Sequence, residues 1–201
     1  MAIQINGNGT ITGISAGGLP AGTVTSATLA SGAITSAAMP SGSVLQVQSD
    51  ILTSTLSNNL ASQTWWSIYN AGLQVTLTPS SASNKILLIG QLAYSEGSGQ
   101  YYQFRFEKDG AEITEIIGDA DGSRYRTTAL SDNQQDNASG RTHIMVAQVS
   151  AGDTNSRIYN MAVRHTSGIA RQMYLNRTYS DTNGHGYARA ISTITAMEIA
   201  A

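Results

Sequence analysis

Cysteine is absent from the 201-residue chain. Disulfides, thiolate nucleophiles and cysteine metal ligands are therefore excluded together, and cysteine usage leaves the redox compartment open. Charge is scarce as well: 12% of the residues are charged, about half the usual share. Its placement says more than the net value of −2. No charged side chain occurs from Met1 to Ser49; Asp50 is the first, and all 11 basic and 13 acidic residues follow. An uncharged stretch of that length stays soluble more easily when it is packed against other chains. The basic residues, mostly arginines from Arg105 to Arg189, form no run, so the basic stripe of a nucleic-acid binder is missing. Long apolar runs are missing too. The stretch 85–94 (KILLIGQLAY) is too short to span a bilayer, and MAIQINGNGT lacks the basic and apolar regions of a secretory signal. A soluble protein made in a cytoplasm is expected, with no nucleic-acid partner and no membrane insertion.

What the uncharged stretch does contain is a repeat. Residues 19–47 read LPAGTVTSAT, LASGAITSAA, MPSGSVLQV, three turns of a ten-residue unit. Leu19, Leu29 and Met39 open the units, Gly22, Gly32 and Gly42 follow three residues on, and Val24, Ile34 and Val44 come two residues later. A helix turning about 100° per residue would rotate the apolar stripe by roughly 280° from one unit to the next, and Gly, Thr, Ser, Val and Ile at this density oppose helix. Extended chain fits better. Leu19 and Val24 are an odd number of residues apart, so a straight strand would place them on opposite faces; a kink at each glycine brings them to one side. Each unit offers only two sizeable apolar groups, too few for one chain to bury itself. Several copies around a common axis could share that burial, most simply with three-fold symmetry. Leu19, Val24, Leu29, Ile34, Met39 and Val44 are then the trimer core and the three glycines its kinks. The competing reading is a flexible linker, which has no need of regular apolar spacing.

The segment 1–18 carries Ile3 and Ile5, then Asn6-Gly7 and Asn8-Gly9 turn signals, then Ile11. It reads as a small hairpin or a strand-addition peptide. From Asp50 the composition changes. Ile51, Leu52, Leu56 and Leu60 have a partly helical spacing among weak helix formers, which allows a short helix or an irregular collar. Strand signals then follow at short intervals: 73–77, 85–94, 102–106, 111–117 after the Asp109-Gly110 hairpin, 124–129, 142–149, 159–165, 172–179 and 187–199. Short strands with turn clusters between them predict an antiparallel sandwich or jelly roll.

No catalytic, cofactor or metal site emerges. Gly13-Ile-Ser-Ala-Gly17 matches the nucleophile-elbow pattern but lies in an uncharged segment leading into the repeat, without the α/β context that pattern requires. Asp119-Ala-Asp121-Gly122 opens like a calcium loop, yet Leu130 stands where the closing glutamate is needed, so a turn is favoured. Glu96, Glu107, Glu112 and Glu115 could supply a glycosidase pair, and His143, His165 and His185 could meet only through folding; packing and solvated surface are the plainer readings of both. Trp65-Trp66 and Tyr101-Tyr102 are adjacent aromatic pairs of which one member should point outward, to seat a neighbouring subunit or bind a glycan. Asn8, Asn137 and Asn176 begin Asn-x-Ser/Thr triplets, which count only on a secretory route.

The decad with Gly-x-Val/Ile-Thr-Ser resembles repeats of bacteriophage fibre proteins. The remainder is similar to a C-terminal domain of fibres from phages of marine and freshwater bacteria, including cyanophages. The matching pieces are Gly42-Ser-Val-Leu-Gln-Val47, Gly72 to Thr78 followed by Pro79-Ser-Ser-Ala-Ser-Asn-Lys-Ile-Leu, the Asp109-Gly110 hairpin, Gly122-Ser-Arg, and Ser192-Thr-Ile-Thr-Ala-Met-Glu-Ile-Ala200. The resemblance implies a homotrimeric virion appendage and names no catalytic residue. The expected architecture is mainly β: a virion anchor over 1–18, an intertwined β-fibre shaft over 19–48, and a jelly-roll-like antiparallel β-sandwich knob over 49–201. The expected function is structural, with the N-terminus on capsid, portal or tail proteins and the knob on a host-surface glycan or protein. Head decoration or tail adaptation is the alternative, and a polysaccharide depolymerase a more distant one. No enzyme activity and no cofactor are expected. The polar loops 95–100, 131–140 and 181–186 are the expected contact surfaces, with no single receptor-contact residue assigned.

Overall fold

The computed structural model describes residues 4–5, 11–12, 24–25, 29, 34–35, 38–96, 101–131 and 140–201. The chain divides into two compact units, Met1–Ala38 and Met39–Ala201. In the first, β1 (Gln4–Ile5) pairs antiparallel with β2 (Ile11–Thr12), with Ile5 opposite Ile11. The backbone bends at Val24 and again at Ile34, ten residues on, each time followed by an exposed threonine. Leu29 and Met39 lie at bends as well.

The second unit is a sandwich of two antiparallel sheets. One holds β3 (Val44–Leu52), β14 (Ser192–Ile199), β7 (Lys85–Glu96), β13 (Arg171–Leu175) and β4 (Leu56–Leu60) in that order, with β11 (Arg141–Ser150) also paired to β7. The other runs β10 (Ala129–Leu130), β8 (Tyr102–Lys108), β12 (Arg157–His165), β5 (Trp66–Ser67), with β6 (Gln74–Leu77) on β12 and β9 (Ala111–Glu112) on β8. Alternation decides which side chains enter the core. Ile86, Leu88, Leu92 and Tyr94 of β7 face Tyr102, Phe104 and Phe106 of β8 and Tyr159, Met161 and Val163 of β12, all buried. Gly90 lies in the middle of β7 because nothing larger fits: a Cβ there would stand 2.5 Å from Met161 Sδ and 2.9 Å from Phe106 Cε1. The Asp109-Gly110 hairpin joins β8 to β9 with both residues at positive φ, 54° and 77°, as a two-residue primed turn requires.

The first sheet forks. Along one side β7 is paired by β11; along the other, β14 covers Lys85 to Gln91 and β13 takes over from Tyr94 to Glu96. Asn176 closes the gap between them. It is fully buried at φ 59°, a region that asparagine tolerates better than most residues. Its N–H donates to Ala93 O at 2.9 Å, and its carbonyl accepts from Ala190 N at 3.0 Å. Its Nδ2 donates to Leu52 O at 2.8 Å and Ser54 O at 3.0 Å, while Oδ1 accepts from Ser192 Oγ at 2.7 Å. One side chain thus meets two carbonyls at and just beyond the end of β3 and the hydroxyl of the first residue of β14.

Several local expectations are corrected. Residues 50–60 form neither helix nor collar: Ile51 and Leu52 complete β3 and Leu56 to Leu60 form β4, because the ladders of β14 and β13 outweigh weak local preference. The expected strand 111–117 is two residues of β9 followed by a 3₁₀ turn at Thr114–Ile116. The strand expected over 124–129 reduces to β10, and those over 172–179 and 187–199 shorten to β13 and β14. Between the last two, only the bridge Arg177 to Arg189 remains. There Asp181 holds both arginines, at 3.4 and 2.8 Å, and ties down the exposed turn 181–186.

Candidate functional surfaces

The outer face of the first sheet is the larger candidate. Cross-strand register aligns Val146, Ile89, Thr195 and Ser49 in one row. Gln148, Leu87, Met197 and Val47 form the next row, and Ile144, Gln91, Thr193 and Ile51 another. Ile144 and Val146 are 61% and 60% exposed, and Val44, Val47, Ile51 and Ile191 are exposed too. Val44 and Val47 are three residues apart, which in a regular strand means opposite faces. A bulge opposite Glu198 and Ile199 inserts Leu45 and keeps both on the outer face. Lys85, the one charged outward residue of these rows and their end, has its Nζ on Ser150 Oγ at 3.1 Å. Four strands at about 4.8 Å spacing and roughly 24 Å length give a face of about 450 Å², on which the exposed apolar side chains stand among the threonine, serine and glutamine residues of the same rows.

Behind that face, Glu198 is a buried polar anchor. Its carboxylate accepts from Asn84 Nδ2 (2.6 Å), Gln46 Nε2 (2.6 Å), and Ser80 N and Oγ (2.6 and 2.9 Å). Burial raises its pKa, but those hydrogen bonds together outweigh burial and leave the carboxyl below its ordinary value. Since Asn84 also accepts from the N–H of Ala201 at 3.1 Å, the polar cluster fastens the end of β14 to the turn before β7.

The outer face of the second sheet is different in kind, built of arginine and aromatic rings. Arg105 donates to Glu107 Oε1 at 2.7 Å and Glu112 Oε2 at 2.8 Å, with its guanidinium 4.2 Å from the Trp65 ring centroid. Glu107 also accepts from Asn160 Nδ2 at 3.0 Å. Arg164 lies 5.6 Å from the same Trp65 ring and 3.5 Å from that of Tyr125. Beside them opens a cleft of about 670 Å³, lined by residues 118–121 and 124–130.

No family model matches the chain, and no curated protein matches it. Among solved structures, one described as "Structure of infectious bursal disease virus Gx strain" is similar at 9% identity over 77% of this chain and 37% of that chain. The present chain thus spans well under half the length of that one, and the TM-score of 0.35 falls short of a shared fold.

The residues singled out in the sequence are dispersed. Val24, Leu29, Ile34 and Met39 are exposed in the single chain, while Leu19, Gly22 and Gly32 lie outside the described residues. Gly42 adopts φ 86° and donates its N–H to Ala200 O at 2.9 Å, turning the chain into β3. Val44, placed at the end of the shaft by its spacing, is the first residue of β3 and pairs with Ile199. The pattern Gly13 to Gly17 is outside the described residues, as are 97–100 and 132–139 of the polar loops. Asp121 pairs with Arg124, and among the described residues no three His, Asp or Glu side chains group as a metal site. His143 stacks on Phe104 at 4.4 Å, and burial lowers its pKa. His165 is buried, its Nε2 on Leu60 O and its Nδ1 accepting from Ser167 N. Glu107 and Glu112 share Arg105, Glu96 pairs with Arg141 at 3.4 Å, and Glu115 accepts from Ser150 N. The aromatic pairs divide: Trp66 and Tyr102 pack with the core, Trp65 covers arginines and Tyr101 is exposed. Sequence reasoning missed Arg164 and Tyr125; the adjacent tryptophans were the available signal.

Proposed function

We propose that the chain is a structural component of a bacteriophage virion, a homotrimeric fibre whose N-terminal segment docks on the particle and whose sandwich forms a knob that contacts the host surface. The observation that carries this reading is the outer face of the first sheet, which exposes Ile144, Val146, Val47 and Ile51 and whose aligned rows carry Lys85 as their one charge. It starts at β3, directly after the uncharged repeat, and a second copy of the same chain is its proposed occupant. A neutral face fits a neutral face, and a charged partner would find only Lys85 to pair with. The repeat has the same need, because its described apolar residues Val24, Leu29, Ile34, Met39 and Val44 are exposed in one chain. Three knobs on one axis raise the effective concentration of weak surface contacts, so a shallow site on each suffices for attachment.

Antibody raised against the sandwich tests the biological half of the reading. It is expected to label intact particles and to block their adsorption to host cells. Labelling without any effect on adsorption would favour a decorating or adaptor role, and absence of labelling would contradict a virion location.

A further inference from the structure

Arg164 is the most deeply buried arginine of the chain, at 2% exposure. Among the described residues it is also the one arginine whose guanidinium has no hydrogen bond or ion pair to an oxygen. Six of the others pair with carboxylates: Arg105, Arg124, Arg141, Arg157, Arg177 and Arg189. Arg126 and Arg171 donate to a backbone and a hydroxyl oxygen. Arg164 has only the rings of Tyr125 and Trp65, and its Nε is buried without an acceptor. Ring contacts return less than the desolvation of an unpaired guanidinium costs.

Two acceptors close by are in the complementary state. Gln103 stands opposite Arg164 in the β8–β12 register, and its Oε1 is buried without a donor. Thr128, which lines the cleft beside Tyr125, has a buried Oγ1 without a partner. A carboxylate would satisfy the Arg164 guanidinium, and hydroxyl donors would satisfy Gln103 Oε1 and Thr128 Oγ1. An acidic sugar carries all of these, and the cleft volume is in the range of small-ligand sites. We propose that Arg164 anchors a binding site for carboxylate-bearing sugars, entered from the cleft by displacement of the exposed Tyr125 ring. Guanidinium geometry suits the carboxylate because two parallel N–H donors meet its two oxygens. The site rests on the reading of the knob as a host-contacting surface and gives that surface a ligand class.

The test is titration of the full chain with methyl β-glucuronide, methyl β-glucoside and acetate, followed by the Arg Nε–H resonances in NMR. The glucuronide is expected to shift the Arg164 Nε–H signal and to bind at least 10-fold more tightly than either control. Arg164→Lys keeps the charge and loses the paired donors, and is expected to weaken the glucuronide at least 10-fold. Tyr125→Ala leaves the core untouched and is expected to alter glucuronide affinity at least 3-fold while acetate affinity stays low. Equal binding of glucuronide and glucoside, or no shift at Arg164, overturns the proposal; acetate binding as tightly as the glucuronide overturns its sugar part. No cells enter the measurement. Glucuronide binding without cell adsorption would sink the attachment reading alone, and adsorption without glucuronide binding would sink this site alone.

Discussion

At the scale of single residues, the fold depends on a few polar side chains that meet several backbone groups at once. Asn176 is the clearest. Asn176→Ala leaves the buried Leu52 O and the part-buried Ser54 O without their side-chain donor, and Ser192 Oγ without its acceptor; a buried group so orphaned costs about 1–3 kcal/mol. Chemical denaturation is expected to show a loss of about 2–4 kcal/mol, and a loss below about 0.5 kcal/mol would remove the fork from the account of stability. Glu198 makes a prediction in pH. Its folded pKa is depressed below the ordinary value of 4.5, so its ionised form stabilises the fold. That contribution is complete above about pH 4.5 and is lost as pH falls through the lowered folded value. Between pH 7 and pH 3 the wild type should therefore lose more stability than Glu198→Gln. His143, whose pKa burial lowers, adds an acid-side loss that begins below pH 6.5 in both proteins and cancels in the difference. Parallel melting curves for the two proteins would contradict the role given to the carboxylate.

At the scale of elements, the strands that were legible in the sequence are those whose pattern reflects their own burial. β7, β8, β11 and β12 follow the alternation of Leu88, Phe104, Met145 and Met161 with outward residues, and Asp109-Gly110 marks its turn by chemistry alone. β3 and β4 were not legible, since Ile51, Leu56 and Leu60 become strand residues only through β14 and β13, more than 100 positions away. The arginine site was illegible for a similar reason. Nothing beside Arg164 in the chain distinguishes it from eight other arginines; only folding shows which one lacks an acceptor. The apolar face was half legible, as alternation in β11 fixes Ile144 and Val146 on one side without saying that it stays uncovered. Ile144→Glu combined with Val146→Glu puts charge there at exposed positions, where substitutions cost within about 0.5 kcal/mol in an isolated chain. The double variant is expected to keep the melting temperature of its own monomer and to lose self-association on sedimentation. Unaltered association would move the interface elsewhere.

At the scale of the whole molecule, one asymmetry runs through the chain. The first 49 residues carry no charge and expose regularly spaced apolar groups; the sandwich that follows has a complete core of its own but leaves one neutral face open. Both features are costly for a single chain in water, and the proposed association of copies around one axis would relieve them together. Three-fold association is the central claim, and light scattering on the full chain in native buffer tests it most directly. A homotrimer gives three times 21.1 kDa, about 63 kDa, independent of dilution over the micromolar range. A mass of 21.1 kDa under the same conditions would contradict it.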